Sequence, residues 1–132
     1  MNKMKENVVC WFEIPVLDMD RAVKFYEEVF QFKISVQSFG KELMGWFPSP
    51  KNQEASNAGG SLIYNPEYYK PNPNGALLYF ASQTDDLSDE LSRVEAAGGK
   101  VIVNKREITP EIGYMGAFID TEGNRIAVHS KK

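Results

Sequence analysis

An internal repeat constrains the fold of this chain more than any other feature. Residues 18–27 are echoed by residues 86–95, an offset of 68 residues and about half of the 132-residue protein. Under this offset similar residues coincide in pairs: Phe12 with Phe80, Met19 with Leu87, Val23 with Leu91, Glu27 with Glu95 and Ile34 with Ile102. Because the match covers a strand, a helix and a second strand, it predicts two copies of one supersecondary unit with a shared interface.

The local pattern predicts the same order of elements in each half. Alternating apolar residues predict a strand over residues 8–16, and Asp18 is placed to cap a helix with apolar residues at three- and four-residue spacing. Strands are predicted over 32–39, 43–47 and 61–64. The second half predicts a strand over 77–82, a helix over 86–97 and strands over 100–106, 115–120 and 125–130. Each half is therefore predicted to be a βαβββ module.

The two modules are expected to form one domain. Module one covers about residues 7–65, a linker with three prolines covers 66–75, and module two covers about 76–130. The breaker-rich stretch over residues 48–60 predicts a loop. Its Gly59-Gly60 pair does not indicate a phosphate loop, because it leads into a strand and no Lys-Ser or Lys-Thr follows.

Composition limits the possible partners and location. The net charge of −3, with Lys and Arg scattered among Asp and Glu, argues against a nucleic-acid surface. The charged start is followed by too few apolar residues for a signal peptide or a membrane span. The single cysteine, Cys10, excludes an internal disulfide, and we expect it to be buried in a protein of the reducing cytoplasm.

Two segments carry a resemblance to a known family. Residues 12–26 (FEIPVLDMDRAVKFY) and the closing residues 118–129 (FIDTEGNRIAVH) resemble the glyoxalase, bleomycin-resistance protein and extradiol dioxygenase superfamily, also called vicinal oxygen chelate proteins. The resemblance implies an α+β fold in which two βαβββ modules form a cupped mixed sheet around a cavity, with helices on the outer face. It also implies a homodimer. It does not specify an activity, because members range from lyases and dioxygenases to proteins that sequester drugs.

The resemblance also implies a test for a metal site. The family's enzymes hold a divalent metal with His, Glu or Gln at four strand positions, two per module. Three of these positions correspond to Trp11, Tyr79 and Ala127, and the fourth lies on the strand over 61–64, which has no His, Cys, Asp or Glu. Indole, phenol and methyl groups are poor ligands for a dication, so we expect no metal and no other cofactor. A largely hydrated cation held by Glu13 and His129 remains an alternative.

The same positions suggest a ligand pocket. Trp11 and Tyr79 are expected to face each other across the cavity, either as apolar walls for a guest molecule or stacked together as core. Under the repeat offset Trp46 and Phe47 correspond to Tyr114 and Met115, and either residue of each pair is expected at the mouth of the cavity, with a packing role as the alternative. The residues predicted to contact the guest are Trp11, Glu13, Trp46, Tyr79, Tyr114, Arg125 and His129.

Glu13 and His129 are the candidates for chemistry. A carboxylate beside apolar rings is partly desolvated, which suits Glu13 to general acid-base catalysis. Alternatively, Glu13 forms an ion pair with Arg125 and only fixes the sheet. His129 lies near a strand end, where a structural role at the sheet edge or in a backbone hydrogen bond is the alternative.

Two classes of function follow. The first is a metal-free protein that binds a small, partly apolar molecule in the inter-module cavity, and the acidic balance of the chain favours a cationic guest. The second is an enzyme, either a lyase, isomerase or dioxygenase relative with a rearranged metal site, or an acid-base catalyst using Glu13. A protein-interaction scaffold with a sealed cup is a third alternative.

Overall fold

The computed structural model describes residues 3–49 and 57–132. Module one comprises β1 (Trp11–Pro15), α1 (Met19–Phe30), β2 (Ser35–Phe39), β3 (Glu42–Trp46) and β4 (Gly59–Tyr64). Module two comprises β5 (Leu78–Ala81), α2 (Ser88–Val94), β6 (Lys100–Thr109), β7 (Gly113–Ile119) and β8 (Arg125–Ser130). The prediction of an α+β fold with two βαβββ modules is confirmed.

Helix α1 begins and ends as local chemistry dictates. The Asp18 side chain accepts a hydrogen bond from the backbone N–H of Arg21 at 3.0 Å, which confirms the predicted N-cap. At the other end Gln31 adopts the left-handed conformation, with φ 61°, and donates its N–H to the Glu27 carbonyl. Gln31 thus takes the conformation that glycine usually supplies at this position.

Helix α2 is shorter than the predicted helix over residues 86–97. The Asp86 carboxylate accepts a hydrogen bond from the Ser88 N–H at 2.9 Å, so the helix begins only at Ser88. After Val94, hydrogen-bonded turns continue to Gly98, which has φ 105°. The predicted helix was too long at both ends, because the helix-like sequence pattern continues into the turns before Ser88 and after Val94.

The strands form two four-stranded mixed sheets. Their orders are β1-β4-β3-β2 and β5-β8-β7-β6, so β1 and β5 are edge strands. In each module the first strand pairs in parallel with the last, and the other pairs are antiparallel. Register shifts within the β6–β7 pair mark irregularities that bend the long strand β6.

The repeat is visible in the backbone contacts of the two modules. The Glu27 side chain accepts a hydrogen bond from the Ile34 N–H at 2.9 Å. Its repeat counterpart Glu95 accepts one from the Val101 N–H at 3.4 Å. In both modules a glutamate near the end of the helix therefore accepts a backbone hydrogen bond from the chain at the start of the following strand.

The shared interface of the modules is their core face. The rings of Phe12 and Phe80, which are repeat counterparts, contact each other with centroids 5.7 Å apart. Phe80 also contacts the rings of Tyr26, Phe30 and Phe47. Because residues of both helices and both sheets belong to one buried cluster, the modules share a single hydrophobic core.

The closing hairpin of module two also holds the start of α1. The buried Glu122 carboxylate accepts hydrogen bonds from the backbone N–H groups of Leu17 and Asp18 at 2.8 and 2.9 Å. It also forms an ion pair with Arg21 at 2.8 Å. Burial acts to raise the pKa of Glu122, but the hydrogen bonds from Arg21, Asp18 and Leu17 outweigh it, so the pKa lies below its ordinary value.

Two further side chains extend this contact. The Tyr26 hydroxyl donates to Asp120 at 2.6 Å, and burial together with the Asp120 charge raises the pKa of Tyr26 well above its ordinary value. Tyr26 therefore stays protonated and acts as a donor. The Asn124 amide donates to the Pro15 carbonyl at 2.8 Å, which joins β8 to the end of β1.

Several local predictions are corrected. Cys10 is exposed, not buried, because β1 begins only at Trp11. Gly59 and Gly60 belong to β4 and not to the predicted loop, whose residues 50–56 lie outside the described part of the chain. Within the described residues, no helix has the length and apolar character needed to cross a membrane.

Candidate functional site

Alternate side chains of β1 lie in the core and on the exposed face. Phe12 and Ile14 point into the shared core, whereas Trp11 and Glu13 lie on the opposite face and are exposed. This opposite face corresponds to the inside of the predicted cup. Since strand alternation assigns faces directly, the sequence predicted this division.

Gly59 and Gly60 accommodate the two rings of β1. Trp11 is the register partner of Gly59, and Phe12 is the register partner of Gly60. A Cβ at Gly59 would lie 3.5 Å from the Trp11 indole, and a Cβ at Gly60 would lie 2.6 Å from the Phe12 ring. The glycine pair therefore lies between an indole on one face and a phenyl ring on the other.

The strand register identifies the fourth position of the family's metal site. In module two, Tyr79 pairs with Ala127, and the equivalent pair in module one is Trp11 with Gly59. The fourth position is thus Gly59, which lies two residues before the strand predicted over 61–64. The repeat could have revealed it, because both pairs have the same spacing of 48 residues.

The residues present do not fit a metal at these positions. Trp11, Gly59, Tyr79 and Ala127 provide no carboxylate, imidazole or thiolate. Elsewhere in the described part of the chain, no three His, Cys, Asp or Glu residues are grouped so as to hold a metal ion.

A cavity of about 410 Å³ lies at the junction of the two modules. Its walls come from β1, the linker and the first residues of β5 and β8. The apolar side chains lining it include Val9, Trp11, Phe12, Ile14, Leu78 and Ile126, and the polar ones are Glu13, Lys70, Asn72, Asn124 and Arg125. This volume falls within the range of roughly 300–1,000 Å³ usual for small-molecule sites.

Three of the predicted guest-binding residues line this cavity: Trp11, Glu13 and Arg125. Glu13 is exposed, and its carboxylate accepts a hydrogen bond from the indole N–H of Trp11 at 3.4 Å. The predicted ion pair between Glu13 and Arg125 does not form, because the ion pairs among the described residues are Arg21–Glu122 and Lys105–Asp86.

The aromatic contacts of the cup differ from the prediction. Trp11 meets Trp46 edge-on, with centroids 6.4 Å apart, and Trp46 in turn stacks on Phe39. Tyr79 is 54 % exposed and makes no ring contact with any described residue, so Trp11 and Tyr79 do not stack on each other. The two rings therefore do not stack together as part of the core, which was one of the two predicted arrangements.

Tyr114 and His129 lie away from the cavity. Tyr114 packs against the shared core and carries the Lys105 ammonium over its ring at 4.8 Å. The half-buried His129 has its Nε2 2.6 Å from the Ile112 carbonyl. Because a carbonyl can only accept, Nε2–H donates to it, which is the kind of backbone contact expected for a structural histidine.

Other residues of this region had no signal in the sequence. Ser61 is the register partner of both Glu13 and Trp46, and its hydroxyl is buried without a hydrogen-bond partner among the described residues. Lys70 lies in the proline-rich linker, yet it lines the cavity. Linker composition does not show which linker residue returns to the site, so only the tertiary structure could identify Lys70.

Sequence and structure comparisons define the class of protein. The sequence model of the Glyoxalase/Bleomycin resistance protein/Dioxygenase superfamily matches residues 9–128. The chain belongs to this superfamily. It is 31% identical to a glyoxylase-like domain-containing protein of Didymella fabae in an alignment of 122 residues that covers 88% of this chain and 88% of that protein.

Solved structures show the same fold. A glyoxalase/bleomycin resistance protein from Albidiferax ferrireducens superposes with a TM-score of 0.66 at 17% identity, covering 96% of this chain and 100% of that one. Glyoxalase I from Zea mays superposes with a TM-score of 0.66 at 17% identity. That match covers 92% of this chain and 45% of the maize protein, so this chain spans about half of the maize protein's length.

Proposed function

We propose that this protein binds a small, partly apolar molecule in the inter-module cavity, without the metal that the family's enzymes use. The observation that carries the proposal is the replacement of ligands at the four metal positions. Trp11, Gly59, Tyr79 and Ala127 stand there, and two of them present exposed rings. Of the four, Trp11 also lines the cavity. A site of this chemistry suits the burial of apolar surface and does not suit the coordination of a dication.

The cavity supports the first part of the proposal. Its lining is mostly apolar and includes a few polar side chains. Such a combination binds the apolar body of a guest and orients its polar end. The Trp11 indole is the largest apolar surface in this lining, so it is the expected main contact.

Acid-base chemistry by Glu13 is the second candidate. Glu13 lines the cavity and makes no ion pair with a described residue, so its carboxylate is available to a bound molecule. A rearranged metal site, in a lyase, isomerase or dioxygenase relative, has no comparable observation in its favour.

The proposal includes a homodimer and a cytoplasmic location. Trp11, Phe39, Trp46 and Tyr79 are exposed aromatic residues of the two modules, and a second copy of the chain would cover such a surface. Sedimentation equilibrium tests the dimer, and a monomer at all accessible concentrations would contradict it. The single cysteine suits a reducing compartment.

Metal analysis tests the metal-free part. The purified protein is dialysed, incubated with zinc, iron, nickel or manganese, and analysed for bound metal. We expect less than about one tenth of an equivalent of bound metal per chain, because retention after dialysis requires several protein ligands. Stoichiometric retention of any of the four metals would favour the enzyme alternative.

Guest binding is tested with a neutral aromatic probe. Fluorine NMR of para-fluorobenzyl alcohol reports binding, and Trp11→Ala should abolish most of it. Tyr68→Ala is the matched control, because Tyr68 is an exposed aromatic residue that does not line the cavity. If Glu13→Gln removes a measured turnover while binding persists, catalysis by Glu13 is the better description.

A further inference from the structure

The charged side chains of the cavity are unevenly balanced. Two cations, Lys70 and Arg125, and one carboxylate, Glu13, line it. Neither cation makes a side-chain hydrogen bond or ion pair within the described residues. By contrast, Arg21 and Lys105 are both engaged with carboxylates.

Most hydrogen-bonding atoms of the two side-chain amides in the cavity are already engaged. The Asn124 amide nitrogen donates to the Pro15 and Asp120 oxygens, and its oxygen accepts from the backbone N–H of Asn72. The Asn72 side-chain oxygen accepts from the Asn74 N–H. Lys70 and Arg125 are therefore the free cationic donors that a guest in this cavity would meet, and the Asn72 amide nitrogen is a neutral one.

Local charge outweighs the charge of the whole chain here. The chain carries a net charge of −3, which on its own favours a cationic guest. Charges more than about 8 Å from a site are largely screened at physiological salt. A guest in the cavity therefore responds first to the charged side chains that line it, where Lys70 and Arg125 outnumber Glu13. The nearby Asp120 carboxylate is engaged in hydrogen bonds with Tyr26 and Asn124.

We propose that the guest is a small organic carboxylate with an aromatic or branched aliphatic body. This inference rests on the proposed binding function and names the chemical class of its ligand. The guanidinium of Arg125 matches the geometry of a carboxylate, and Lys70 adds a second charge. The body of the guest lies against the apolar wall formed by Trp11, Leu78 and Ile126.

Glu13 sets the orientation of the guest. A bound carboxylate is repelled by the Glu13 side chain, which lies beside the Trp11 indole. The guest carboxylate is therefore directed toward Arg125 and Lys70, away from Glu13. This arrangement predicts opposite effects for the removal of the cations and for the removal of Glu13.

The test compares three probes of one shape and different charge. Affinities of the wild-type protein for para-fluorobenzoate, para-fluorobenzamide and para-fluorobenzylamine are measured by fluorine NMR at low and high salt. We expect the benzoate to bind about tenfold more tightly than the amide, with the amine weakest, a preference equivalent to ~1.4 kcal/mol. Acetate, which has no apolar body, should compete poorly.

Variants assign the preference to residues. Arg125→Gln and Lys70→Gln should each weaken benzoate binding about five- to tenfold and leave the amide unchanged, whereas Glu13→Gln should strengthen benzoate binding. Arg106→Gln is the control, because Arg106 is exposed and does not line the cavity. Thermal melting of each variant establishes that it is folded.

The outcomes separate the two proposals. Equal binding of the three probes would overturn the carboxylate assignment and leave the binding function standing. Preference for the amine would overturn it in favour of a cationic guest. Failure of all three probes, and of the neutral alcohol, would overturn the binding function itself.

Discussion

The indole of Trp11 lies over Gly59, its register partner on the neighbouring parallel strand, and a Cβ at residue 59 would meet the ring at 3.5 Å. On the other face of the same two strands, Phe12 lies over Gly60 with no such margin. Gly59 thus leaves room for the Trp11 indole on the exposed face, and Gly60 leaves room for the Phe12 ring on the core face. The two glycines therefore accommodate rings on opposite faces of the sheet.

Substitution of the two glycines should therefore have unequal effects. Gly60→Ala should lower the free energy of unfolding by about 2 kcal/mol, because its Cβ would lie 2.6 Å from the Phe12 ring, which Phe47 and Phe80 hold in place. Gly59→Ala, the control, makes an ordinary van der Waals contact and should change stability by less than about 0.5 kcal/mol. Denaturant unfolding measures both, and equal losses would contradict the packing described for Phe12.

Adjacent residues of β5 provide a second comparison. Phe80→Ala should cost about 3 kcal/mol, because the ring contacts four other rings in the shared core. Tyr79→Ala should cost less than about 1 kcal/mol, because Tyr79 is mostly exposed on the opposite face. Unfolding of both variants under the same conditions tests this. A larger loss for Tyr79→Ala would mean that the two faces of β5 have been exchanged.

The unpartnered hydroxyl of Ser61 leads to a prediction of the opposite sign. Ser61→Ala should leave stability unchanged or raise it by about 1 kcal/mol, because it removes a buried polar atom without a partner. Ser130→Ala is the control. Its buried hydroxyl accepts from the Leu87 N–H and donates to the Lys132 carbonyl, so its loss should destabilise the protein by about 1–2 kcal/mol. A marked loss of stability in Ser61→Ala would show that its hydroxyl has a partner in solution.

The Glu122 network predicts the acid dependence of stability. A carboxyl with a lowered folded pKa stabilises the protein fully above its unfolded pKa of about 4.3, and this stabilisation is lost as the pH falls through the folded pKa. The wild-type protein should therefore lose stability below about pH 4.3. Asp86 acts in the same direction, because hydrogen bonds from Lys105 and Ser88 lower its pKa to about 2.

Glu122→Gln isolates the Glu122 contribution. The variant should be less stable at neutral pH by about 1–3 kcal/mol and should show a shallower loss of stability in acid, since its amide does not titrate. Glu111→Gln, at an exposed position without a side-chain hydrogen bond to a described residue, is the control. An acid dependence identical to the wild type would show that Glu122 is not the responsible group. Unfolding across a pH series measures these effects.

Much of the fold could be predicted because local rules and the repeat agree. Alternation separated Trp11 and Glu13 from Phe12 and Ile14, and Asp18 was recognised as a helix cap. The repeat paired Phe12 with Phe80, which are in contact in the structure. The ends of α2 were missed, because helical periodicity continues through turns that are not helix.

The structure brings some of the predicted site residues together and separates others. Trp11, Glu13 and Arg125 line the same cavity, whereas Tyr114 packs against the core and His129 bonds to a backbone carbonyl. Alternation assigns a side chain to a face but does not say what lies above that face. For this reason the sequence could not separate an exposed Glu13 from one paired with Arg125.

The sequence by itself determined the duplicated βαβββ plan, the two faces of β1 and the residue types at Trp11, Tyr79 and Ala127, which are not metal ligands. These features depend on residue type and on spacing along one segment. The tertiary structure alone decided that Gly59 pairs with Trp11, that Trp46 is the ring beside Trp11, and that Lys70 joins Arg125 at the cavity. Such relationships depend on register and packing between segments distant in the chain, which backbone hydrogen bonds and a shared core establish together.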